Sequence, residues 1–277
     1  MSKFIEFKNV NFNSENENPI LQNINLCIEK GEFISVVGLN GCGKSTLAKM
    51  VNGILLPSSG EVFIDGINTS DISSLHKIRR KVGMVFQNPE NQIIASTVEE
   101  EISFGLENLC VPSTEMGSKI KEVLKIVGLE GFEKKSVFSL SGGQKQRLNI
   151  ASVLAMNPEI IVLDEPTSML DPSSRDSIIR LLIKFNSQRN TTIILITHFM
   201  EEAILSDKVV FMDKGHIKDI NTPQLMFSEK KILDYVFPMQ SSEILFFLKD
   251  MGYVVSTSSF QTSECTNEII KVLENRN

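Results

Sequence analysis

Apolar and polar residues alternate along KFIEFKNVNF, around Phe4 and Ile5, and again along ILQNINLCI at Ile20, Leu21, Ile24, Leu26 and Ile28. This period-two spacing predicts two antiparallel strands with one buried face each. The polar stretch NSENENP between them predicts a loop. EFISVVG has a different texture, a short β-branched run that ends at glycine and leads into KSTLAKMVNGIL, where Leu47, Met50, Val51 and Ile54 fall at helical spacing. The pattern predicts a strand, a glycine turn and a helix in direct succession. GEVFIDG and KVGMVFQNP read as two further strands.

From about Asn88 to Pro158 the apolar spacing changes to three and four. TVEEEISFGLENL, GSKIKEVLKIVGL and GGQKQRLNIASVLAMN are predicted helices, the first opened by a capping box of Thr97 and Glu100. EIIVLDEP, TTIILITH and KVVFMDKGHI return as strands, with SSRDSIIRLLIKFNSQ as a helix between the first two. Strands alternating with helices predict an α/β fold with a parallel core, an antiparallel β edge and an all-helical insertion. The expected division assigns residues 1–87 and 159–222 to the core and 88–158 to the insertion. Residues 226–277 form a C-terminal helical module of PQLMFSEKKILDYVF, SSEILFFLKDMG and TSECTNEIIKVLENRN, interrupted at Pro238.

Composition narrows the function classes. A net charge of −6 over 277 residues supplies no uniform basic field, so nucleic acid is not an expected partner. Cys27, Cys42, Cys110 and Cys265 are scattered with no CxxC pair, and no secretory signal precedes them; reduced cytosolic thiols are expected. No apolar run approaches the roughly 18 residues needed to cross a bilayer, which leaves open docking on a protein that does.

The candidate chemistry begins at GLNGCGKST. Gly38 to Ser45 fits GxxxxGK[ST] between a predicted strand and a predicted helix, the context in which this turn cradles phosphate. The main chain of Asn40, Gly41, Cys42, Gly43 and Lys44 can wrap a β-phosphate, the Lys44 ammonium can bridge β- and γ-phosphates, and the Ser45 hydroxyl can ligate Mg²⁺. Gly38, Leu39 and Thr46 complete the expected ATP-binding set. In IIVLDEPTSMLD, Asp164 and Glu165 emerge from a buried strand; Asp164 suits the Mg²⁺ shell and Glu165 a general base. His198, after another buried strand, is placed to meet the γ-phosphate or its attacking water. Gln87, ending VGMVFQ, can reach Mg²⁺ or that water. A second glycine turn, LSGGQ, puts Ser141 before Gly142, Gly143 and Gln144 at a helix start, a second anion grip.

These motifs, in this order, resemble the nucleotide-binding subunits of ATP-binding cassette (ABC) transporters across about residues 3 to 222. The resemblance implies a P-loop NTPase core with a helical signature subdomain, binding ATP and Mg²⁺ and hydrolysing ATP. It implies two such subunits facing head to tail, so that Ser141, Gly142, Gly143 and Gln144 act in trans while Asp171 couples the two sites. Gln87 to Asn108, through QNPENQ and FGLEN, is similar to the ATPases of energy-coupling factor (ECF) importers of vitamins and transition-metal ions. That likeness implies a second ATPase, a transmembrane coupling protein and a substrate-capturing membrane protein as partners, at the cytoplasmic face of the membrane. The C-terminal module resembles one that pairs such ATPases. The alternatives are an ATPase of another ABC importer type, a soluble ABC ATPase and an inert nucleotide-binding subunit. Ser14 stands where the family usually has an adenine-stacking aromatic residue; Phe12, expected on the same strand face, is the substitute.

Overall fold

The structure is a computed structural model that describes residues 3–258, 260 and 262–274. β1 (Lys3–Asn13) and β2 (Pro19–Glu29) pair antiparallel, with Ile5, Phe7 and Val10 facing the same core as Leu21, Ile24, Leu26 and Ile28. β3 (Phe33–Val37) is buried at every position and leads through the glycine turn into α1 (Lys44–Val51). β4 (Ser59–Ile64) returns antiparallel to β1, β5 (Ile67–Asn68) forms a short edge, and α2 (Leu75–Lys81) runs into β6 (Val82–Val85). Local periodicity does not announce β5 or α2: one is two residues long, and the other buries only Ile78.

Three helices follow, α3 (Val98–Asn108), α4 (Ser113–Ile126) and α5 (Gly142–Ala155). The expected capping box opens α3: Thr97 accepts from the Glu100 main chain, and the Glu100 carboxylate accepts from that of Thr97. The chain then re-enters the sheet with β7 (Ile160–Asp164), α6 (Pro172–Arg189), β8 (Thr192–Ile196), the single turn α7 (Met200–Ala203), β9 (Lys208–Asp213) and β10 (His216–Asn221). KVVFMDKGHI is therefore not one strand. Lys214 at φ 47° and Gly215 at φ 80° reverse the chain, and β10 pairs antiparallel to β9.

The larger sheet has the order β10-β9-β3-β8-β7-β6, parallel throughout except for β10. Its inner strands are buried on both sides, which explains their continuous apolar runs. Ile160 and Val162 of β7 pack toward α1 and the antiparallel sheet, whereas Ile161 and Leu163 pack toward α5 and α6. Each fully buried side chain of this kind contributes about 1.5–3 kcal/mol.

Beyond β10 come α8 (Pro223–Met226), α9 (Gln240–Asp250) and α10 (Thr262–Glu274). The helix expected over PQLMFSEKKILDYVF is one turn of α8 followed by a 3₁₀ segment, Lys230–Tyr235. Glu229 is extended, and the break lets Phe227, Ile232 and Val236 turn inward against Val37, Val209 and Phe211. The last three residues of the expected final helix lie outside the described residues. Among the described residues no helix is long and apolar enough to cross a membrane.

Candidate active site

Four neighbouring parallel strands end at one edge of the larger sheet: β3 at the glycine turn, β8 at Thr197 and His198, β7 at Asp164 and Glu165, β6 at Gln87. Open parallel sheets bind their ligands at this edge. In the turn, Gly38 and Gly43 have φ of 149° and 104°, and a Cβ would meet Met212 O at 2.2 Å and Leu21 Cδ2 at 2.6 Å respectively. Only glycine lets the loop lie this close to β9 and β2, while Leu39, Asn40 and Gly41 stay exposed. α1 starts at Gly43 without a side-chain cap, so the positive end of its dipole is open to an anion.

Lys44 is buried, 4 % exposed, and donates to the carbonyl oxygens of Gly38 at 2.7 Å and Leu39 at 2.9 Å. An ammonium has three donors, so one is left for a ligand oxygen. Burial holds its pKa below the usual lysine value. Beside it, Ser45 Oγ donates to Asp164 Oδ1 at 3.0 Å. Asp164 is only 3 % exposed, and burial pushes its carboxyl up, opposed by the Ser45 hydrogen bond. This hard-oxygen pair suits Mg²⁺: two adjacent oxygens of an octahedron of ~2.1 Å radius lie about 3.0 Å apart.

Glu165 is the hub. His198 Nε2 is 2.6 Å from its Oε1, and Gln87 Nε2 donates to its Oε2 at 2.8 Å. Its backbone is left-handed, φ 48°, and its N–H is tied to Ile196 O at 3.1 Å. The His198 hydrogen bond holds the carboxyl below the usual range, with burial opposing it. Gln87 thus meets Glu165 rather than the Ser45–Asp164 pair.

The second glycine turn lies elsewhere. Ser141 caps α5, with Oγ accepting from Gln144 N at 3.3 Å and Gln144 Oε1 accepting from Ser141 N at 3.0 Å. Gln144, expected to face a ligand, is turned back on its own cap. Asp171 caps α6 through Ser174 N at 3.0 Å. Both caps line one cleft of about 470 Å³ with Gly143, Arg147, Leu170 and Ser174, and no residue of the first turn lines it. Ser14 falls past the end of β1, and an irregularity between Phe12 and Asn13 breaks the alternation that would give Phe12 and Ser14 one face. Phe12 lies opposite Leu21 and packs on the core.

The family model of the ABC transporter matches residues 21–168, from β2 through both glycine turns to the Glu165 loop. The chain belongs to the ABC transporter family. Within it, this ABC ATPase is of the energy-coupling factor type. It is 42 % identical over 273 residues to the energy-coupling factor transporter ATP-binding protein EcfA1 of Clostridium perfringens, covering 98 % of this chain and 97 % of that one. To the protein of the same name from Caldanaerobacter subterraneus it is 47 % identical, covering 84 % and 86 %. Among solved structures it is similar to CbiO1 of Clostridium perfringens, described as part of the ABC transporter complex CbiONQ: TM-score 0.76, 33 % identity, covering 91 % of this chain and 98 % of that one. A dimeric ATP-binding cassette, MJ0796, in a post-hydrolysis state with ADP and Pi gives TM-score 0.73 at 35 % identity, covering 79 % and 98 %.

Behind the Glu165–His198 pair of this ABC ATPase lies a buried polar cluster of Thr167, Thr197 and Glu202 that sequence reading missed. Glu202 follows Glu201 in a short acidic stretch that reads as a solvated face, and helical spacing over one turn does not separate the two.

Proposed function

We propose that this ATPase hydrolyses ATP at a site completed by a second ATPase subunit and thereby powers an importer of the energy-coupling factor type. The observation that carries the reading is the convergence of Gln87, His198 and the strand end of β7 on one carboxylate, Glu165, beside the Lys44 turn. The glycine turn binds the phosphates of ATP and Lys44 neutralises them. Ser45 and Asp164 hold Mg²⁺, which when bound screens the phosphate charge. Glu165 accepts a proton from water as its oxygen bonds to the γ-phosphorus and the bond to the β–γ bridging oxygen breaks, giving ADP and phosphate. Such a base contributes about 10²–10⁴-fold. His198 orients the carboxylate and holds it ionised, and Gln87 fixes its second oxygen. Phe12, half-buried opposite Leu21, is the aromatic residue proposed to stack on adenine with its remaining exposed surface.

The signature cleft supports action in trans: Gly142 and Gly143 offer main-chain donors, and Ser141 its hydroxyl hydrogen, to the nucleotide of a partner, with Gln144 as the brace of that cap and Asp171 beside it. Ile244 and Phe247 on α9 and Met251 at its C-terminal cap are exposed at the spacing i, i+3, i+7, which supports pairing of the ATPases through residues 226–277. The names of the relatives support assembly into a transporter complex; the partners proposed there are a transmembrane coupling protein and a substrate-capturing membrane protein at the cytoplasmic face of the membrane, with a vitamin or a transition-metal ion as cargo.

The test has two arms. Phosphate release by the full-length chain is expected to fall at least a hundredfold in Glu165→Gln and His198→Ala with ATP binding retained; undiminished turnover removes these residues from the chemistry. Purification from detergent-solubilised membranes is expected to bring down an integral membrane protein, identified by mass spectrometry, and recovery of the ATPase alone contradicts the importer assignment.

A further inference from the structure

Glu202 is 1 % exposed, yet both its oxygens are engaged. Oε1 accepts from the Thr167 hydroxyl and Oε2 from the Thr197 hydroxyl at 2.5 Å. Thr167 stands two residues after Glu165 on the loop leaving β7, and Thr197 immediately precedes His198 at the end of β8. Thr197 Oγ also accepts from Phe199 N at 3.0 Å, which directs its own hydrogen toward Glu202. From the first turn of α6, the helix capped by Asp171, Arg175 brings Nε to 3.7 Å from Oε1 and lays its guanidinium 3.4 Å above the Phe199 ring.

Burying a carboxylate costs several kcal/mol, and an apolar residue of similar volume is often the more stable choice. What an apolar residue cannot do is hold two hydroxyls from two different strand ends at once. Those strand ends need holding. Glu165 sits in a left-handed backbone conformation that a non-glycine residue adopts only when its surroundings enforce it. On one side Ile196 O restrains its N–H; on the other, Thr167 is fastened to Glu202.

We propose that Glu202 is a positioning residue for ATP hydrolysis, its carboxylate fixing Glu165 against His198 by clamping the β7 and β8 strand ends through Thr167 and Thr197. This rests on the reading that Glu165 and His198 act in the chemistry. Glu202 itself touches neither. It acts through the loops that carry them, where displacement of about 1 Å can cost on the order of a hundredfold in rate.

The chain has 3 histidines, so the ring signals of His198 can be followed by NMR in the full-length protein against those of His76 and His216. Glu202→Gln offers one acceptor where two hydroxyls arrive. It is expected to move the His198 signal, leave the other two in place, and lower kcat about tenfold with the KM for ATP within about twofold. Thr167→Val, whose position is 31 residues away in sequence, should move the same signal, and Thr167→Ser should restore it. If Glu202→Gln does not fold, the threonine pair carries the test. An unmoved His198 signal, equal behaviour of the serine and valine variants, or a loss confined to KM overturns the proposal. Full turnover in Glu165→Gln and His198→Ala would instead defeat the catalytic reading beneath it.

Discussion

Ser45 Oγ and Asp164 Oδ1 stand 3.0 Å apart although 119 positions separate them in the chain. One comes from the first turn of α1 and the other from the end of β7, so the contact exists only because the two strands end at one edge. Asp164→Asn keeps the shape and removes the charge. Mg²⁺ is expected to tighten ATP binding in the parent, and this enhancement should fall by more than about tenfold in the variant, ~1.4 kcal/mol. Titration of ATP with and without Mg²⁺ measures it; an undiminished enhancement assigns the metal elsewhere.

Lys44 is buried against two carbonyl oxygens, which leaves one of its three donors for a ligand. Lys44→Ala should weaken ATP binding by about a hundredfold, the value of one or two charge-assisted hydrogen bonds. Calorimetry on the full-length chain would read this, and unaltered affinity would contradict the phosphate-loop assignment.

Ser141 lies in a cleft apart from the nucleotide turn. Ser141→Arg fills that cleft and should leave ATP binding by the single chain within about twofold while preventing nucleotide-driven association seen by light scattering. Loss of binding by the single chain would place the signature turn and the phosphate loop at one site.

The depressed carboxyl of Glu165 has a pH signature. A group lowered in the folded state adds stability above its unfolded pKa and loses it as pH falls through the folded value. The thermal midpoint of the parent should therefore exceed that of Glu165→Gln at about pH 7, and the gap should close as pH drops below about 4.5. A gap that widens on acidification has the wrong sign for this account.

Phe247, 63 % exposed, occupies the middle of the apolar face of α9. Phe247→Asp leaves the cores untouched and should convert a self-associated or paired form to a single chain, read by sedimentation, with the unfolding midpoint shifted by less than about 2 °C. An unchanged association state would remove residues 226–277 from the pairing surface.

Much of this site was legible because its pieces announce themselves locally. The turn from Gly38 to Ser45 needs glycine at Gly38 and Gly43 for reasons of close approach, and the run Ile160–Asp164 is apolar because it is buried on both faces. The Gln87–Glu165–His198 contacts were not legible, since they depend on the order of β6, β7 and β8 in the sheet, which no local period encodes. The Lys214–Gly215 reversal hid inside an apolar run, and the break after α8 hid inside a helical one because tertiary burial of Phe227 and Ile232 outweighs local propensity. Gln144 reads equally well as ligand contact or cap brace until its side chain is seen turned toward Ser141 N.

The two glycines of the signature turn answer to different masters. A Cβ at Gly143 would press within 3.1 Å of Leu170 in the same chain, whereas one at Gly142 would enter open space. A screen that scores variants by melting temperature, expression or solubility would therefore pass Gly142→Ala as healthy. If the turn acts in trans as proposed, damage at that position should become visible only in an assay that requires two chains to meet, and tolerance measured on the isolated subunit should then be a poor guide to tolerance in the cell.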